Sequence, residues 1–366
     1  MRKDSLKPIQ MMTLTVGAIF GVDILYGPRA VASLAKQDAW ISVLIGGILA
    51  IIIGSVYYFL ASLYPDKDLP EIFVLVGGRF FGKILILLNS FNTMVYIALS
   101  LRIFAQALLM FLLDRTPIYV IVILMALVSA YSVYKGIYTI SGVIDIIFPV
   151  CKLTIISVII LSLPQGDISA LKPILFENFG NVLKGSMASY YIFTGFSTIT
   201  YTYRYTENKK GTYKWYLAGL IIPLILFVGL KIATLMVFGQ EDVKSLVFPT
   251  LTLTKSIEFT ATFIERMEST AAILWIIIVY EAISMFLFIS VRNINVLFNV
   301  PSDKSKYTVW LLLPIIIFTA VIIKSGLKVF EFFEYNRAVM MISGSAVVPV
   351  LTLLSYIKKK RSRNRI

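Results

Sequence analysis

Apolar runs of bilayer-crossing length follow one another along nearly the whole chain, separated by short polar connections. A crossing helix needs about 20 predominantly apolar residues. By that measure the pattern predicts spans over 10–31, 40–63, 83–113, 117–134, 141–163, 184–203, 215–238, 270–298, 308–323 and 338–357. The third and eighth runs are long enough to demand tilt or extension beyond the hydrocarbon. Alternation of period two is nowhere sustained, which argues against a membrane β-barrel. The expectation is an all-α integral membrane protein of about ten transmembrane helices, a single polytopic domain over 1–366 with polar tails at 1–9 and 358–366.

Two of the ten runs contain breaks. The first reads "FGVDILYGPR" from Phe20 to Arg29, with two glycines, a proline and a carboxylate in ten residues. The sixth carries "FTGFST" from Phe193 to Thr198, a glycine between residues of poor helix propensity whose hydroxyls can satisfy freed backbone groups. Interruptions in corresponding members of two five-helix halves point to a 5+5 inverted repeat with helices 1 and 6 broken and a ligand site between the repeats. A broken helix exposes N–H groups at one half and carbonyls at the other, so a small zwitterion finds a partner for each end. The alternative is that the glycines only permit close helix packing. The ligand-binding candidates are Gly21, Val22, Asp23 and Ile24 at the first break and Thr194, Gly195, Phe196 and Ser197 at the second. Tyr96 on the third span offers either a capping hydroxyl or an ordinary packing ring.

Composition narrows the chemistry. The 366 residues are 58% hydrophobic and include no histidine and one cysteine, Cys151. This leaves no internal disulfide and neither the ligands of an ordinary zinc site nor a histidine-based triad, and no cofactor motif is present. No nucleophile-and-base constellation suggests an enzyme. The formal charge of +14 reflects basic residues scattered between the spans and gathered in the tail "KKKRSRNRI". Such a tail faces anionic lipid headgroups rather than nucleic acid, at roughly 1 kcal/mol per basic residue near the surface. Most of the 34 Lys and Arg fall on one side if both termini are cytoplasmic, as the positive-inside rule requires. The segment "AVASLA" imitates a signal cleavage site, but Asp23, Pro28 and Arg29 stand between it and the apolar run. The longest outer connection, 239–269, is either a lid or a plain surface loop.

Charges inside the spans are costly, on the order of 2.5 to 3.5 kcal/mol each at mid-membrane, so they face the interior and find partners. Arg102, Asp145 and Arg292 are placed near an interface, whereas Lys152, Lys231 and Glu281 lie deeper. Lys152 is expected to pair with Asp23 or with carbonyls of the first break, or to form a static pair between helices. Glu281, with Ser284 one turn on, either lines the site or pairs with Lys231. Asp23 either selects for a ligand ammonium or neutralises Lys152 or Lys231.

"FGVDILYGPR" resembles the first-helix G-x-G-I-L-x-x-P-R pattern of the endospore germination permease family, the B subunits of spore germinant receptors. "YYIFTGFSTITY" resembles that family's sixth-helix F-x-G-F-E segment. Asp23 stands where the pattern prefers glycine, and Ser197 where it often has glutamate. The resemblance implies the fold of the amino acid, polyamine and organocation superfamily and a spore inner-membrane protein. That protein would sense a small-molecule nutrient beside an A subunit with soluble domains and a C-subunit lipoprotein. It also implies that Lys152 takes the place of a coupling sodium ion; Glu281 and Ser284 join it as ion- or proton-coupling candidates on their own chemistry. The rival readings are a proton-coupled amino-acid or amine symporter and a purely structural anchor.

Overall fold

The computed structural model describes residues 5–175, 179–257, 267–323 and 326–363. These are helical apart from connections and one isolated bridge, Leu6 to Thr206. The helices are α1 (Pro8–Phe20), α2 (Asp23–Ala35), α3 (Ala39–Leu63), α4 (Leu69–Phe111), α5 (Ile118–Lys135), α6 (Ile137–Ser162) and α7 (Phe179–Ile192). They continue as α8 (Ile199–Thr202), α9 (Thr212–Ser245), α10 (Pro249–Ser256), α11 (Met267–Leu297), α12 (Thr308–Ile322) and α13 (Gly326–Arg363). Among the described residues, 8 helical stretches are long and apolar enough to cross a membrane. The first of these, Asp23–Leu63, takes in α2 as well as α3; setting α2 with α1 as one interrupted passage, and α7 with the 3-10 turn Thr194–Thr198 and α8 as another, gives ten among the described residues. The ten fall into two halves of five, with the first member of each half broken.

The termini share one face of the bundle, called the tail face below. Leu6 donates its N–H to the Tyr205 carbonyl at 2.8 Å, and Lys359 reaches the carbonyl of Leu63 at the end of α3. α4 starts on this face with a reciprocal cap, in which the Asp68 side chain caps the first turn and Glu71 accepts from the Asp68 N–H at 2.9 Å. α4 then bends at Gly78, whose φ of 78° lies where only glycine is free of Cβ strain. The apolar run expected over 83–113 therefore begins as the upright part of a longer element whose first turns fold back at the bend.

The tenth passage departs most from expectation. The apolar pattern places it at 338–357, whereas α13 runs from Gly326 to Arg363. Glu334, Asn336 and Arg337 depress the local hydropathy, but the buried Asn336 and Arg337 each bond to a neighbouring helix, Asn336 to the Asn92 carbonyl and Arg337 to Asp23, and winding continues through them. The outer connection carries a real helix, α10, which packs on α2 and α9. Residues 258–266 of the same connection lie outside the described residues.

Candidate functional site

At the first break α1 ends at Phe20, Gly21 leaves the helical region (φ 14°, ψ −151°) and α2 begins at Asp23. Pro28 has no N–H, so the Ile24 carbonyl lacks its helical donor. The hydroxyl of Thr250 on α10 supplies one at 2.6 Å. Five residues carry the electrostatics. Asp23, in the first turn of α2 where the helix dipole favours a negative charge, is wholly buried. It accepts from the Tyr96 hydroxyl of α4 at 3.0 Å and is ion-paired with the equally buried Arg337 of α13. Arg337 also donates to Glu334 at 2.6 Å and lies over the Phe333 ring at 5.0 Å.

This arrangement corrects two expected pairings. Lys152 does not meet Asp23; it donates to Glu281 at 3.1 Å and lies 4.7 Å from the Phe20 ring centre. Lys231 meets neither Asp23 nor Glu281, and its ammonium donates to the Pro28 carbonyl of α2. The reason is geometric. Asp23 is engaged from α4 and α13, while Glu281 of α11 lies against α1 one turn earlier, where a Cβ on Gly17 would stand 3.0 Å from Glu281 Oε2. Two buried oxygens beside that pair, Glu281 Oε1 and Ser284 Oγ, have no hydrogen-bond partner among the described residues. Arg102 is also buried, and no ion pair among the described residues includes it. Arg292 and Asp145 engage partners on Asp68 and on Gln10 with Thr13.

At the second break, Gly195 lies directly against the first. A Cβ there would be 2.5 Å from the Ala18 carbonyl carbon and the Ile19 nitrogen, so glycine alone lets the turn touch the backbone of α1. The carbonyls freed by the interruption are taken by hydroxyls. Ser197 donates to Thr194 O at 3.1 Å, Thr198 to Gly195 O at 2.8 Å and Tyr216 to Phe196 O at 2.9 Å. The buried Thr194 hydroxyl has no hydrogen-bond partner among the described residues.

A cavity of about 110 Å³ adjoins this turn, lined by Thr194, Phe196 and Ser197 together with other polar residues, among them Asn89, Thr93 and Tyr201, and by apolar side chains, with no charged group among its walls. Of the sequence candidates, Thr194, Phe196 and Ser197 line it; Gly21, Val22, Asp23, Ile24, Tyr96 and Gly195 do not. Gly21 abuts Ala282 and the Tyr96 hydroxyl instead, and Val22 and Ile24 are buried around the break. On the tail-face side, Tyr201 donates to Asn293 Oδ1 at 2.9 Å and the Asn293 amide to Asn89 Oδ1 at 2.7 Å. One residue from Asn293, Arg292 pairs with Asp68 at 2.5 Å, and Arg204 pairs with Glu71 at 2.7 Å. Burial pushes the Asp68 carboxyl up to about 6 against the lowering pull of Arg292, so this closure is fully charged only above that pH. Two ion pairs stand outside the cavity walls: Asp68 with Arg292, next in sequence to the lining Leu69, and Asp23 with Arg337, one turn before the lining Met340.

Sequence reasoning missed Arg337, Glu334 and the Asn89–Asn293–Tyr201 cluster. The available signals were the charged string "FEFFEYNR" heading the last apolar run and asparagines within otherwise apolar ones.

The family model for spore germination proteins matches residues 5–328. This chain belongs to the spore germination protein family. Spore germination protein B2 of Bacillus subtilis (strain 168) is 24% identical over 377 residues, covering 100% of both chains. Spore germination protein A2 of the same organism is 25% identical over 305 residues, 82% of each chain. In architecture this germination protein matches MhsT in complex with L-phenylalanine, with a TM-score of 0.70 and 14% identity over 95% of this chain and 89% of that one. It also matches Mhp1, a nucleobase-cation-symport-1 family transporter in a closed conformation with bromovinylhydantoin bound, with a TM-score of 0.68 and 12% identity over 95% and 78%. The fold is therefore that of transporters built on two inverted five-helix repeats.

Proposed function

We propose that this spore germination protein is the nutrient-sensing membrane subunit of a germinant receptor. It sits in the spore inner membrane with both termini cytoplasmic, beside A and C subunits. The nutrient is a small molecule, an amino acid or a related amine, held where the two interrupted helices meet. Gly21 to Ile24, Tyr96 and Thr194 to Ser197 form the binding region. The supporting observation is the cavity at the second break, with hydroxyl and amide groups in its walls. A solute that favours one arrangement of these walls biases the assembly by its differential affinity for the two states.

The test is germination of spores lacking and carrying the gene on a panel of single nutrients. Loss of the response to one nutrient is expected; unchanged responses to all would sink the reading. Once that nutrient is known, Ser197→Ala and Asn89→Leu raise its half-effective concentration by about tenfold at equal membrane abundance, the scale of one lost hydrogen bond.

A second reading, proton-coupled uptake, draws on the buried Lys152–Glu281 pair and the unpartnered Glu281 Oε1. In it, Lys152, Glu281 and Ser284 exchange a proton as the ligand binds. The purified protein in liposomes then accumulates labelled substrate under an imposed proton gradient, and Lys152→Met abolishes the pH dependence of its ligand response. A pH profile unchanged by that substitution would remove the proton role.

A further inference from the structure

Just beyond the Gly78 bend, Arg79 and Lys83 stand one helical turn apart on α4. With Phe80, Ile84 and Leu87 of α4 and Leu297 from the last turn of α11 they line a surface groove of about 480 Å³. No ion pair among the described residues includes Arg79 or Lys83, since the nearby acids Asp68 and Glu71 are engaged by Arg292 and Arg204. The groove lies at the tail-face end of the bundle, and its apolar side chains are turned outward, Phe80 being 72% and Leu87 56% exposed. Two uncompensated cations thus crown an apolar trough at the depth where a lipid headgroup meets its acyl chains.

We infer that this groove is a binding site for an anionic phospholipid. The phosphodiester accepts from the Arg79 guanidinium, whose fork matches two phosphate oxygens, and from the Lys83 ammonium, while one acyl chain lies along Ile84 and Leu87. A choline headgroup carries its own cation and is disfavoured beside these two. Each basic residue at such a surface favours anionic lipid, and here the pair is concentrated on one apolar channel between two helices. The site adjoins the bend that separates the upright part of α4 from the turns capped by Asp68 and Glu71.

The test uses the full-length protein in a neutral detergent, with native mass spectrometry after addition of dioleoyl phosphatidylglycerol or dioleoyl phosphatidylcholine. The wild-type protein is expected to retain phosphatidylglycerol and release phosphatidylcholine. Retention falls about tenfold or more in Arg79→Gln/Lys83→Gln, as expected for loss of two headgroup cations. Both substitutions lie at the lipid-facing surface, and circular dichroism verifies that the helices persist. Equal retention of the two lipids by the wild-type protein, or equal retention of phosphatidylglycerol by wild type and variant, overturns the assignment. Millimolar inorganic phosphate leaves the lipid adduct in place; displacement by it would show a phosphate site rather than a lipid site.

Discussion

Asp23→Asn leaves Arg337 with Glu334 as its one remaining carboxylate among the described residues, and lowers the stability of the folded protein by up to about 3 kcal/mol, the low end of the cost of breaking a buried ion pair. Arg337→Met has a similar effect, because it leaves the Asp23 carboxylate buried with only the Tyr96 hydroxyl donating to it among the described residues. The combination Asp23→Asn with Arg337→Met recovers part of the loss, since no charge then remains at either position, while the partly exposed Glu334 gives up its partner. Thermal unfolding of the purified protein, followed by helix content or by aggregation, measures all three. If the double variant is as unstable as the sum of the singles, the two residues act independently and the pairing is not what holds α13 to α2. The same set in spores separates folding from signalling. A double variant present at normal abundance but germinating without nutrient identifies the pair as a restraint on the resting arrangement.

Gly195→Val is the second large effect. The added Cβ would sit 2.5 Å from two backbone atoms of α1, and backbone cannot swing aside as a long side chain can. The two interrupted passages must separate, at a cost of about 1–3 kcal/mol or more, and the walls of the adjoining cavity move with them. Gly142 of α6 is the matched control, because a Cβ there meets nothing within 4 Å. Gly142→Ala is expected to be neutral or stabilising by up to about 1 kcal/mol through helix propensity. Comparable losses at the two positions would mean that Gly195 matters for something other than the contact between the breaks.

The spans and both interruptions were legible because they rest on local rules. Apolar length marks a crossing, and glycine, proline and clustered hydroxyls mark where winding stops. The charges were less legible, and the reason is their sequence separation. Asp23 and Arg337 lie at opposite ends of the chain, and the break itself does not reveal whether the carboxylate there is met from α4, α6, α9 or α13. Lys152 was singled out as an intramembrane cation, yet its partner was fixed by which face of α11 lies against Gly17, a property of packing rather than spacing. Arg337 escaped notice because it precedes the apolar run and scores as an interfacial residue. Only the folded bundle shows that α13 has already entered the interior at that point. The cavity follows the same logic, since three candidates of the second break reach it while those of the first are held away by the ion pair that fills their neighbourhood.

The turn from Thr194 to Thr198 supplies two donors of its own, Ser197 and Thr198, and α9 adds Tyr216; together they cover carbonyls that the missing helical bonds leave bare. Its backbone therefore does not depend on a solute for cohesion. Of the three, Ser197 also lines the adjoining cavity, so a bond that holds the turn in shape fixes part of that wall as well.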